Sequence, residues 1–367
     1  MNKLFFIVVI LVILVVACPC LAEEPDGLLG RKALGMEALS LLEKQDYKSL
    51  EDMASQFRKK KERFSDGAWK LKSFYDGFEA PKSDTESQWL QHIKMIEQWQ
   101  QQYPKSPTPR IALATAWAGY AWDARGTGYM MKPGGAEPFH ERLARATDIL
   151  ADAALGELDP EADALKLMLA KATGLSREAF DRLLQAAISR EPRYHSYYAS
   201  AVDYYTEKWQ GEPGEWINKL ELFDDTVPKG EGIYARIIFG LRNCDWRTFT
   251  EGTVSWQRTK KSLEELPDGS PWVENLRAFF ACMAKDESYG RPIMEKIGAA
   301  PYYMAWDTRG FFTYDFCRNV MRLPRIQDTS DSVEFRYLKI LSARGNEWAN
   351  KELEQNVQAG NIGFPKQ

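Results

Sequence analysis

Six residues a third of the way along this chain combine the side-chain types that recognise ligands: Trp117, Tyr120, Trp122, Asp123, Arg125 and Tyr129. Aromatic rings offer flat apolar faces with polar tips. A carboxylate beside a guanidinium grips charged groups through short, charge-assisted hydrogen bonds. Such a set can stack on a sugar or hold a peptide and its charges. The Gly126-Thr127-Gly128 turn and the loop from Met130 to Gly135 follow at once, and loops inserted in a rigid scaffold are favoured places for recognition. The same residues also allow a plainer arrangement, in which Asp123 pairs with Arg125 and the rings pack under the loop.

A second patch runs from Trp209 to Trp216, where Lys208, Glu212 and Glu215 surround Gly211 and Pro213. Two carboxylates three residues apart share a helix face and would form an acid/base pair if their environments separated their pKa values. Glutamates opening a helix also complement its dipole, and that explanation suffices here. Gly126 and Gly128 do not make a phosphate loop, because a third glycine and a preceding strand are missing. There is no Walker sequence, no His-Glu-x-x-His, no Gly-x-Ser-x-Gly and no Cys-x-x-Cys. His92, His140 and His195 lie far apart, with no metal-ligand spacing. The expectation is a chain with no catalytic residue, metal or cofactor, and more a binding protein than an enzyme.

The compartment is written at the start. Lys3 precedes an unbroken apolar run from Leu4 to Ala17, which suits the core of a secretory signal; a membrane-spanning helix needs roughly 20 residues. Residues 1–22 read as a bacterial export leader. Val15-Val16-Ala17-Cys18 fits a lipoprotein cleavage site that leaves Cys18 to carry lipid, whereas Cys20-Leu21-Ala22 fits ordinary cleavage before Glu23. The protein is expected in the periplasm or on the membrane, touching it only through a lipidated Cys18. A formal net charge of −4 and no basic stripe exclude nucleic acid as a partner.

The elements that position these groups are helices. Phe139, Leu143, Ala146, Ile149, Leu150, Ala153 and Ala154 recur at steps of three and four, as do Ala162, Leu165, Met168, Leu169 and Ala172, with Gly174 as a stop. Ser176 caps the next stretch, Phe180 to Ile188, and Tyr194, Tyr197, Tyr198, Ala201, Tyr204 and Tyr205 make a further stripe. No segment alternates as a strand would. Asp159-Pro160, Glu191-Pro192 and Val227-Pro228 follow one another at 32 and 36 residues, each expected to open a new helix after a break. Cys244, Cys282 and Cys317 close aromatic stretches at 38 and 35 residues. Packed helices lie about 9–10 Å apart and a disulfide needs Cα atoms within about 7 Å, so three free, buried thiols are expected.

A period in the thirties made of two helices is the mark of tetratricopeptide-like arrays. Glu178-Ala179-Phe180, Leu184, Ala187, Pro192 and Tyr194 resemble that family most closely, although its Trp and Leu-Gly marks in the first helix are missing. The resemblance implies a right-handed all-α solenoid of stacked antiparallel helix pairs. Gly67-Ala68-Trp69-Lys70-Leu71 with Phe74-Tyr75, Tyr120-Ala121-Trp122 with Ala124-Arg125-Gly126 and Gly128-Tyr129, and Glu212-Pro213-Gly214-Glu215-Trp216 are similar to an uncharacterised bacterial family, the domain of unknown function numbered 4034. That similarity implies no activity.

The expected organisation is a leader over 1–22, an irregular helical region over 23–105, the helix-pair array over 106–322, and a linker with a terminal pair over 323–367. The array would act as a cell-envelope scaffold for a protein or peptide partner, and the alternative is a glycan-binding or glycan-processing protein of the cell wall.

Overall fold

The computed structural model describes residues 24–126, 131–152, 154–241, 248–249, 252–306, 311–326 and 332–358. The leader, Cys18, Tyr129, Ala153 and Cys244 lie outside the described residues. In chain order the helices are α1 (Gly27–Glu43), α2 (Tyr47–Lys60), α3 (Lys70–Asp76), α4 (Glu86–Gln102), α5 (Pro107–Arg125), α6 (Ala136–Ile149), α7 (Ala154–Leu158), α8 (Pro160–Ala172) and α9 (Arg177–Arg190). They continue as α10 (His195–Tyr204), α11 (Glu215–Thr226), α12 (Ile233–Gly240), α13 (Trp256–Glu264), α14 (Pro271–Met283), α15 (Glu287–Ile297), α16 (Phe311–Val320), α17 (Val333–Ala343) and α18 (Glu347–Gln358). Among the described residues the fold is all-α; the one β pairing is an isolated bridge between Arg63 and Trp69.

Local chemistry sets the helix ends. Ser106, Asp159 and Ser270 cap α5, α8 and α14 through their side chains, and each is followed by proline at the first helical position. There proline's fixed φ is an advantage and its missing N–H would have had no partner anyway. Ser176 caps α9 as its sequence suggests, and Gly174 breaks the chain before it with a φ of +71°. Three expected boundaries move. Glu191 closes α9 as its C-cap, and α10 starts only at His195. α6 stops at Ile149 with Leu150 as its C-cap, so the stripe through Ala154 belongs to two helices. Val227 closes α11 and does not open the next helix, which starts at Ile233.

Burial separates the helices into two kinds. α4, α9, α13 and α15 bury one stripe each, while α5, α8 and α14 bury residues around most of their circumference. A helix apolar all round must be covered on both sides. α5, α8 and α10 touch in succession, α10 touches α12, and Phe239 of α12 packs edge-on against Trp272 and Phe279 of α14. This inner row is flanked by the amphipathic helices on one side.

The other side is covered by the N-terminal region. α3 packs on α5 and α8, Trp69 packs edge-on against Tyr194 at the head of α10, and α1 contacts α14, α17 and α18. The 23–105 region is therefore bound along the row, from α5 to α18.

The cysteine expectation fails. Cys282 of α14 and Cys317 of α16 form a disulfide, with Cα atoms 5.6 Å apart. Helix axes about 9–10 Å apart do not hold facing thiols apart. Cα atoms ride about 2.3 Å off each axis, so facing residues approach much closer than the axes do.

Candidate functional site

A segment running from the end of α2 to the start of α3, residues 58–72, crosses the N-terminal ends of the inner helices and exchanges ions with them in turn. Arg58 donates to Thr108 Oγ1 of α5 at 2.9 Å and to Asp159 Oδ2, the α8 cap, at 2.7 Å. Lys61 pairs with Glu191, Trp69 donates its indole N–H to the Arg193 carbonyl at 2.9 Å, and Arg63 reaches Glu231 before α12 at 2.6 Å. Ser65 donates to Asp26, whose carboxylate also accepts from Ser270 of α14 and Tyr337 of α17. Helix N-termini carry partial positive charge, so carboxylates gather there and the crossing segment brings the cations.

Electrostatics follow burial. Burial pushes Glu231 up, but His195, Arg63 and Arg193 outweigh it and hold the carboxyl at about 2. Burial together with Arg236 depresses His195 to about 4, so the ring is neutral near pH 7 and its Nε2 donates to Glu231. Glu161 behaves in the opposite way. Burial raises it to about 8 against the pull of Lys72, and it accepts the Tyr194 hydroxyl at 2.6 Å.

A groove of about 1430 Å³ opens over α1. α1 is its floor, with Gly35, Met36, Glu37 and Ser40 along it. One wall is the segment from Asp76 to Asp84 after α3, with Trp89 and Asp123 behind it; the other is the α17–α18 turn from Leu341 to Gln355. Gly119 makes the first wall fit, because a Cβ there would collide with the Glu79 carbonyl oxygen. Trp348 contributes an aromatic face on the second wall, with the Lys32 ammonium 5.2 Å from its ring centre.

Most charges around the groove are paired within the chain: Arg31 with Asp66, Lys44 with Glu347, Lys82 with Glu43, Lys32 with Glu352, Asp76 with Lys72 and Asp123 with Lys132. Glu37, Glu79 and Asp84 on one side, and Arg344 and Lys351 on the other, have no ion pair among the described residues. The groove lining partly desolvates Glu37 and Glu79, whose side chains still reach solvent, and raises their carboxyls; at Glu79 the charge of Asp76 adds to the effect and Lys72 opposes it. The chemistry available is binding of charged and apolar groups side by side. No cluster with metal-ligand composition exists among the described residues.

Of the six residues singled out from the sequence, the five described ones divide among different neighbours. Trp117 and Tyr120 turn toward α4 and α6, where Tyr120 stacks on Trp89 at 4.8 Å, Arg142 caps the Tyr120 ring and Arg145 lies over Trp117. Trp122 faces Phe139 and Trp209, with Arg125 beside its ring. Asp123 pairs with Lys132 and lines the groove. Tyr129 lies outside the described residues.

In the second patch Glu215 pairs with Arg177 and accepts the Glu212 N–H at 3.0 Å, a capping role; Arg177 holds its carboxyl below the ordinary value. His92 is buried and bonded to the Phe78 carbonyl. The sequence reading missed the groove because α1 and α18 are over 300 residues apart; its one local trace is the Gly345-Asn346 turn. No family model, no curated protein and no solved structure matches this chain.

Proposed function

We propose that this chain is an exported cell-envelope protein acting as a non-enzymatic helical scaffold, which holds a protein or peptide partner in the groove over α1. The groove carries the reading. It exceeds the roughly 300–1,000 Å³ of ordinary small-ligand pockets, it joins aromatic and apolar surface to unpaired charges, and its walls come from both ends of the chain.

Export is supported by the leader-like run at 4–17 and by the Cys282–Cys317 disulfide, since such bonds persist in oxidising compartments. No helix among the described residues is long and apolar enough to cross a membrane, and lipid on Cys18 would supply the membrane contact. The succession of α8, α9, α10, α11 and α12 supports a tetratricopeptide-like stack of helix pairs. Kinship with the domain of unknown function 4034 belongs to the same proposal and rests on the residues around Trp69, Trp122 and Trp216.

The test is a photo-cross-linkable residue placed at Ser40 on the groove floor, or at Gln185 on the exposed side of α9, in intact cells. A discrete protein adduct at Ser40 and none at Gln185 is expected. No adduct, or the same adducts from both positions, would overturn the reading. An adduct removed by polysaccharide digestion would move it to a glycan ligand.

A further inference from the structure

We propose that the groove over α1 binds a short peptide with free ends, seating its ammonium against Glu37 and Glu79 and its carboxylate against Arg344 and Lys351. This rests on the reading of the groove as the partner site and goes further by naming the ligand chemistry.

The observation is the separation of unpaired charge by sign. Around the groove the other charged groups are matched within the chain. Those left over divide cleanly: carboxylates on α1 and the 76–84 segment, cations on the α17–α18 turn. In a recess flanked by protein, charges interact more strongly than in open water. An unmatched carboxylate there is disfavoured, and the raised carboxyls of Glu37 and Glu79 express this. An ammonium between them restores the ionised form, and a carboxylate supplies the counter-charge to the guanidinium of Arg344.

A ligand carrying only one sign would satisfy one wall and leave the other unmatched. A free-ended peptide matches both. Its side chains then lie along Met36, Leu41 and Trp348. Binding to such a site uses charge complementarity chiefly to fix register and direction.

The experiment uses the purified chain beginning at Glu23, immobilised, with a random tripeptide pool offered in three forms: free-ended, N-acetylated and C-amidated. Retained peptide is quantified by mass spectrometry. The expected result is retention of the free-ended form and about tenfold loss on blocking either end, a difference of about 1.4 kcal/mol. Glu37→Gln with Glu79→Gln should abolish the effect of N-acetylation while keeping that of amidation. Arg344→Ala with Lys351→Ala should do the reverse.

These side chains are exposed, so the variants should retain the wild-type circular dichroism spectrum. Equal retention of all three forms overturns the proposal, as does failure of the wild type to retain any peptide. If a partner still cross-links at Ser40 in either case, the scaffold reading survives without it; if that fails too, both fall.

Discussion

Arg63 donates through Nη1 to Glu231 Oε2 at 2.6 Å across 168 residues of chain. It is one step of a ladder in which a single segment, residues 58–72, ties together the heads of α5, α8, α10 and α12. Glu231 is buried and also accepts from Arg193 and the neutral His195, so two guanidinium charges and a ring N–H hold its carboxylate. A carboxylate so placed is a point at which the N-terminal region and the inner row hold or part.

Glu231→Ala should therefore destabilise the fold by about 3 kcal/mol, since it strands neighbouring cations in a half-buried site. Arg63→Ala should cost less, about 1–2 kcal/mol, because Arg193 and His195 still satisfy the carboxylate. Urea unfolding followed by circular dichroism measures both. Equal effects, or two effects within 0.5 kcal/mol of wild type by the surface-substitution range of about ±0.5, would show that the ladder does not hold the region in place.

Stability should fall on both sides of a mildly acidic to neutral window. Glu231 has a folded value of about 2, below its ordinary 4.5, so its contribution is present above pH 4.5 and is lost as pH falls toward 2. His195, held at about 4 below its ordinary 6.5, adds to this: the unfolded chain takes up a proton between pH 6.5 and 4 that the folded chain refuses. Glu161 has the opposite sign. Raised to about 8 from 4.5, it keeps its proton in the fold, and its contribution declines as pH rises from 4.5 through 8. Glu231 and His195 each change stability by up to roughly 3 kcal/mol, and Glu161 by up to roughly 5 kcal/mol. His195→Gln should flatten the acid side and Glu161→Gln the alkaline side of a plot of unfolding free energy against pH; unchanged slopes would contradict the assignment.

Reduction should matter too. The Cys282–Cys317 bond closes a loop with a sequence separation of 35, and constraining such a loop in the unfolded chain is worth about 3–4 kcal/mol in the chain-entropy description. A thermal melt under reducing conditions, and the Cys317→Ser variant without reductant, should shift downward together. Thiol titration of the denatured chain starting at Glu23 should find two more thiols after reduction than before. Three reactive thiols before reduction would refute the bond.

Gly119 is expected to tolerate no side chain. Gly119→Ala should lower stability by about 1–3 kcal/mol, the range for overpacking a filled interior, because the added Cβ meets the Glu79 backbone. Ala118, buried beside it in sequence, is the control: Ala118→Gly loses only helix propensity and a methyl group, about 1 kcal/mol. A wild-type melting temperature for Gly119→Ala would show that the first wall of the groove can retreat.

What the sequence determined by itself was everything carried by near neighbours along the chain. The stripe at Tyr194, Tyr197, Tyr198 and Ala201, the Ser176 cap and the Gly174 break depend on residues three or four apart, and so they are legible locally. The all-α class follows from them. The tertiary structure decided what depends on distant partners: that Trp122 and Tyr120 face different neighbours, that Cys282 meets Cys317, and that Asp26 is buried under Tyr302 and Tyr337, about 300 residues away in sequence. Helical periodicity says which face of a helix is buried but not which helix will cover it. Nothing local marks partners for Arg58, Lys61 and Arg63, because the carboxylates of Asp159, Glu191 and Glu231 lie 101 to 168 residues on and only the fold brings them together. The groove is set the same way, because its two walls come from opposite ends of the chain and no local pattern spans both.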